Sequence, residues 1–228
     1  MLRIGFALLA VLAFAPAHAT LIEYSFESKV LALSPEVGNA LGVQIDATIT
    51  GGFLFDDAAP RTSYVEVPVG VCCQIPNGIA TASTYDMSNL VLWVNLGSYV
   101  LTARGGNLVI VDGSTSPTID DRWRLKTPGD GQQVNGFTVD SMGIELRHGN
   151  TPLASSALQV IDAADWGFPV PGNRSFNIWF TNGDAISSSL LSMTPTSVPE
   201  PAALSLLATG VLGALVALKR RRIAGPRS

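Results

Sequence analysis

The sequence predicts an all-β fold, an antiparallel β-sandwich of jelly-roll type, followed by a single C-terminal transmembrane helix. Three observations carry that expectation. Apolar and polar residues alternate with a period of two over many short stretches, the signature of half-buried strands. Gly, Asn and Asp clusters punctuate those stretches at hairpin-like intervals. One apolar run near the C-terminus, 202–218, has no polar face and is long enough to cross a bilayer.

Read in order, the chain opens with Met1-Leu2-Arg3 and an apolar run from Ile4 to Phe14. Pro16 breaks the run, and Ala17-His18-Ala19 puts small residues where a signal peptidase reads. Residues 1–19 are therefore expected to be a signal peptide cleaved before Thr20. The apolar run is too short for the ~30 Å of a hydrocarbon core.

Residues 20–193 form the expected exported domain. Ile22, Tyr24, Phe26 and Val30 face one way, with Glu23, Ser25, Glu27 and Lys29 opposite. Leu41 to Phe55 reads as one long strand bent at Gly51-Gly52. Further strands are expected over 64–67, 89–95, 98–103, 107–111, 121–126, 137–147, 176–181 and 185–193. Asn182-Gly183 between the last two is a hairpin signal. Ala154–Ala164 is the best helix candidate, and no internal repeat suggests a propeller or solenoid. Residues 194–201 read as a linker ending in Val198-Pro199-Glu200-Pro201, where the two prolines hold Glu200 on a stiff, extended backbone.

The run from Ala202 to Leu218 has 17 residues, which reach about 26 Å as a helix. Six leucines and two valines favour insertion by about 0.3–0.6 kcal/mol each, roughly 2–5 kcal/mol in all, before Ser205, Thr209, Gly210 and Gly213 subtract. Such a span leans on its flanks. Lys219, Arg220, Arg221 and Arg222 supply a membrane stop whose stems snorkel, and they orient residues 219–228 toward the cytoplasm. Hydropathy alone does not separate a plain anchor from a sorting signal.

The order Val-Pro-Glu-Pro, Leu/Ala/Gly-rich helix and arginine cluster, covering Val198 to Arg222, resembles the PEP-CTERM protein-sorting signal of Gram-negative bacteria. Thr48 to Pro60 is similar, less specifically, to a strand-plus-acidic-turn segment of PEP-CTERM β-proteins. The resemblance implies that Val198, Pro199, Glu200 and Pro201 are a recognition element in a substrate. The partner it implies is an exosortase, a membrane cysteine transpeptidase that cuts near Pro-Glu-Pro, in systems that accompany exopolysaccharide and biofilm. Membrane anchorage, then release to the cell surface or medium, is the implied itinerary.

Chemistry in the middle of the chain is sparse. Residues 20–197 hold eight basic and seventeen acidic side chains, a net of −9, which repels nucleic acid in the absence of a local basic patch. The nearest to a patch is Arg122-Trp123-Arg124-Leu125-Lys126, whose three cations would share one solvated strand face. His148 is the lone histidine left after export and has no nucleophile pattern around it, so no catalytic residue is expected and the chain is read as non-enzymatic. One His and two adjacent Cys make no zinc set. Asp56-Asp57, Asp120-Asp121 and Asp162/Asp165 are ligand types that suit calcium, but none sits in a recognised calcium loop, and no cofactor is expected.

Cys72-Cys73 enters an oxidising compartment. A strained bridge between neighbours, a bridge to another chain and two shielded thiols all stay open. Tyr64, Trp93, Tyr99, Trp123, Trp166 and Trp179 are candidates for a sugar-binding face, with core packing as the rival role. A carbohydrate-binding module, or failing that a secreted hydrolase, is the alternative to a non-enzymatic envelope or matrix protein.

Overall fold

Period-two alternation produces strands here because each inward side chain finds apolar partners across the pleat. The computed structural model describes residues 21–69, 78–113, 120–148, 153, 155–161, 166 and 174–197. The strands are β1 (Leu21–Leu33), β2 (Thr48–Asp56), β3 (Arg61–Val69), β4 (Gly78–Asp86), β5 (Val91–Leu96), β6 (Tyr99–Arg104), β7 (Asn107–Asp112), β8 (Asp121–Pro128), β9 (Gln133–Val134), β10 (Phe137–His148), β11 (Arg174–Phe180) and β12 (Ala185–Ser197). One helix, α1 (Pro35–Leu41), interrupts them.

The antiparallel β expectation holds, and every strand pair is antiparallel. In place of two stacked sheets, hydrogen bonds run along one path, β3-β4-β7-β8-β10-β11-β12-β1-β2-β5-β6, with β9 attached to β10. The sheet curls, because Phe53 on β2 meets Trp123 on β8 at 5.8 Å between ring centroids although five strand boundaries separate them. Strand twist accumulated over so many strands drives that curl. Phe53 also stacks on Tyr24 at 4.6 Å, and both rings are buried with Phe55, Phe176, Leu125 and Ile144 in one core.

The free edge of β6 is closed by side chains. Gln132 accepts from the Thr102 amide (2.9 Å) and donates to the Val100 carbonyl (2.9 Å), so its amide imitates a strand's peptide group. Asp130 accepts from the Arg104 amide. These bonds satisfy an edge that would otherwise recruit another chain.

Several expected elements are corrected. Leu41 belongs to α1, and only Thr48–Asp56 of the long expected strand is extended. Ser34 caps α1 through the Val37 amide, Pro35 opens it, and Gly42 closes it with φ 66°. The described part of Ala154–Ala164 contains no helix. It is an irregular plug inside the curl. The Tyr24 hydroxyl accepts from the Ile161 amide (2.8 Å). Tyr85 donates to the Ser156 carbonyl (3.0 Å), and Thr81 and Ser83 bond the Ser156 hydroxyl. Core hydroxyls thus replace the backbone pairing that helix formation would have supplied.

β4 was missed by periodicity because the face it turns to Ser156 carries Thr81 and Ser83, small polar residues, ahead of Tyr85. Thr194–Ser197, expected to be linker, are the last residues of β12 and pair with Ile22–Ser25. The expected transmembrane segment 202–218 lies outside the described residues. Among those described, no helix is long and apolar enough to cross a membrane.

β12 lies between β11 and β1, and two bulges adjust its register with β1. Leu191 and Leu31 are the unpaired extra residues, and they are 47% and 46% exposed. The bulge at Leu191 shifts the phase of β12, so its inward positions move from Ile186, Ser188 and Leu190 to Met193.

Candidate functional site

Antiparallel pairing of the first strand with the last brings the start of β1 and the end of β12 to one end of the sheet. Ile22 faces Ser197, and Leu21 faces Asp56. In sequence, the expected signal-peptide junction at Ala17, Ala19 and Thr20 immediately precedes β1, and Val198 immediately follows β12. Ala17 to Thr20, Val198 to Pro201, the helix 202–218 and Lys219 to Arg222 lie outside the described residues. What the structure adds is the base they spring from: a paired strand end, with no linker before the motif.

The other candidates scatter. Asp56 accepts from the Ala58 amide at 2.8 Å, an Asx turn between β2 and β3. Asp120 pairs with Arg147 at 3.3 Å. Asp121 is 1% exposed and accepts from the Gly113 and Leu153 amides at 2.7 and 3.0 Å. Asp162, Asp165, Cys72 and Cys73 lie outside the described residues. Among the described residues, no group of three His, Cys, Asp or Glu is placed to hold a metal ion. His148 ends β10 rather than standing in a turn, and it faces Asp121 across the ladder.

Burial pushes the Asp121 carboxyl above its ordinary 3.8, against the lowering effect of its two amide donors and of His148. Folding therefore favours its protonated form, so its contribution is complete below 3.8 and is lost as pH rises through the raised value. Asp121→Asn keeps one acceptor but turns an amide toward the other N–H, which costs about 1–3 kcal/mol. Denaturant unfolding at about pH 7 and about pH 4 should show the wild type's advantage over Asp121→Asn growing at the lower pH.

The aromatic candidates divide. Trp123 and Trp166 are core, whereas Tyr64 is exposed on β3, and Trp93 and Tyr99 are half-buried. Trp179 on β11 is 38% exposed and lies on the outer face. The alternation of Arg122 to Lys126 is as expected, with Trp123 and Leu125 inward and Arg124 and Lys126 exposed. Strand order then does what spacing does not show: β8, β10 and β11 are neighbours. Their outward residues Arg124, Lys126, Glu145, Asn177 and Trp179 line a depression of about 200 Å³. Gly143 lies on its floor, because a Cβ there would come within 3.4 Å of the Trp179 ring and 3.0 Å of the Leu125 carbonyl oxygen. The Lys126 ammonium is 5.7 Å from the ring centroid.

Glu145 stands opposite Arg124 in the ladder but forms its ion pairs with Arg122 (3.2 Å) and Arg147 (3.9 Å). Arg124 has no ion pair among the described residues.

Among curated proteins and among solved structures, none matches this chain. A family model does match at residues 197–222, and its description is the PEP-CTERM protein-sorting motif. Its first residue, Ser197, is the last of β12. The chain therefore carries a PEP-CTERM protein-sorting motif joined directly to an antiparallel β domain, which marks it as an exported protein targeted to an exosortase.

Proposed function

We propose that this chain is a non-enzymatic envelope or extracellular-matrix protein, held at the inner membrane by residues 202–218 until an exosortase cuts near Pro199-Glu200-Pro201. The β domain is then delivered to the cell surface or medium, in association with exopolysaccharide or biofilm. The observation that carries the proposal is the sorting motif starting at the last residue of β12. The four residues from Val198 to Pro201 reach no more than about 14 Å when extended. The folded sheet thus hangs close above the membrane, and the exosortase meets its recognition element at the sheet's foot.

The test is the C-terminal mass of the protein recovered from envelope and medium, in cells with and without the exosortase. The expected result is a chain ending near Pro201 only where the exosortase is present. An intact tail in both strains refutes sorting and leaves a plain anchor.

A second function, carbohydrate binding at the cell surface, is supported by one observation: Trp179 is 38% exposed in a depression shared with Arg124 and Lys126 rather than packed in the core.

A further inference from the structure

We propose that the depression across β8, β10 and β11 binds an acidic sugar unit of a glycan, with Trp179 as the stacking surface and Arg124 and Lys126 as carboxylate partners. The Trp179 ring packs over Gly143, where a Cβ would come within 3.4 Å of it, and the surface that leaves it 38% exposed is what a flat pyranose face can approach. Asn177, opposite Gly143 in the ladder, lines the same space with an amide able to bond sugar hydroxyls.

Charge selects the acidic sugar over a neutral one. Residues 20–197 carry a net of −9, yet this face gathers Arg122, Arg124, Lys126 and Arg147 around Glu145 and Asp120. The two acids are engaged by Arg122 and Arg147, which leaves Arg124 with its guanidinium fork available for a carboxylate. The Lys126 ammonium lies over the Trp179 ring, 5.7 Å from its centroid, so a sugar that stacks there displaces it to the ring's edge, where it meets the carboxylate. An open groove of this kind takes a unit within a polymer as readily as its end.

The assignment rests on the exported, glycan-associated function proposed above and names its ligand class. It is separable from sorting, because binding is read on purified protein whether or not the tail is cut. The full chain, purified in detergent, is titrated with tetragalacturonate and with uncharged maltotetraose while tryptophan fluorescence is followed. The expected result is saturable tetragalacturonate binding, at least about 10-fold tighter than maltotetraose. It should weaken at least about 10-fold in Trp179→Ala and in Arg124→Ala/Lys126→Ala, with circular dichroism unchanged. In the tryptophan variant, binding is read by calorimetry. Arg124 and Lys126 are exposed, so the double variant keeps its fold and its result stands alone. Absence of tetragalacturonate binding overturns the proposal, as does binding that both variants retain. A single-stranded oligonucleotide that competes equally well also overturns it, because the face would then be a general polyanion surface.

Discussion

Replacing Pro199, Glu200 and Pro201 together with alanine leaves the chain uncut, and full-length protein with its basic tail accumulates in the membrane fraction. The two prolines fix φ near −65° and bias the residues before them toward extended backbone, so the segment is already shaped for a reader that binds an extended strand. Glu200 provides the only charge between Ser197 and Lys219. Alanine removes both the pre-organisation and the carboxylate, and losing even 1.4 kcal/mol of recognition slows capture about tenfold. Immunoblotting for a tag after Ser228, with the mass of the released product, gives the readout. Release at the wild-type rate and size would sink the role assigned to these residues. The folded domain is not at risk in this variant, because β12 ends at Ser197.

Ending the chain at Ala185 should abolish folding of the exported domain. β12 is not an edge strand: it pairs with β11 through Ala185–Ser189 and with β1 along Ile186–Ser197. Its loss exposes both neighbours and removes Ile186, Leu190 and Met193 from the core. Those three side chains are worth about 5–9 kcal/mol of apolar burial, comparable to the whole stability of a typical domain of about 5–15 kcal/mol. The buried pair in which Ser28 donates to Ser188, which donates in turn to the Phe176 carbonyl, disappears as well. Limited proteolysis of the exported product checks this. A protease-resistant core in the truncated chain would show that β12 is dispensable. The topology also orders folding, since β12, which pairs with both β11 and β1, ends only at Ser197.

Legibility differed by element for definite reasons. Strands whose inward residues are large and apolar, such as β5 with Leu92, Val94 and Leu96, were readable from alternation alone. β4 was not, because Thr81, Ser83 and Tyr85 on one of its faces are matched to Ser156, a partner far along the chain. α1 had a legible signature in Ser34-Pro35-Glu36 and Gly42, but the alternation continuing from Leu41 masked it. The described part of 154–164 is not helical for a tertiary reason: the Tyr24 and Tyr85 hydroxyls bond the Ile161 amide and the Ser156 carbonyl. A linker was expected at 194–197 because the bulge at Leu191 shifts the phase, so Met193 and the residues after it no longer continue the earlier alternation.

The chain's address was written in contiguous residues. A proline-fixed acidic tripeptide, an apolar run and a cluster of arginines act through local conformation and hydropathy, which need no fold to be read. The curl, the side-chain closure of β6 and the meeting of Arg124, Gly143 and Trp179 were decided only in three dimensions. They join positions on strands that are distant in sequence and adjacent in the ladder, and that adjacency is set by which pairing buries the most apolar surface along the whole chain.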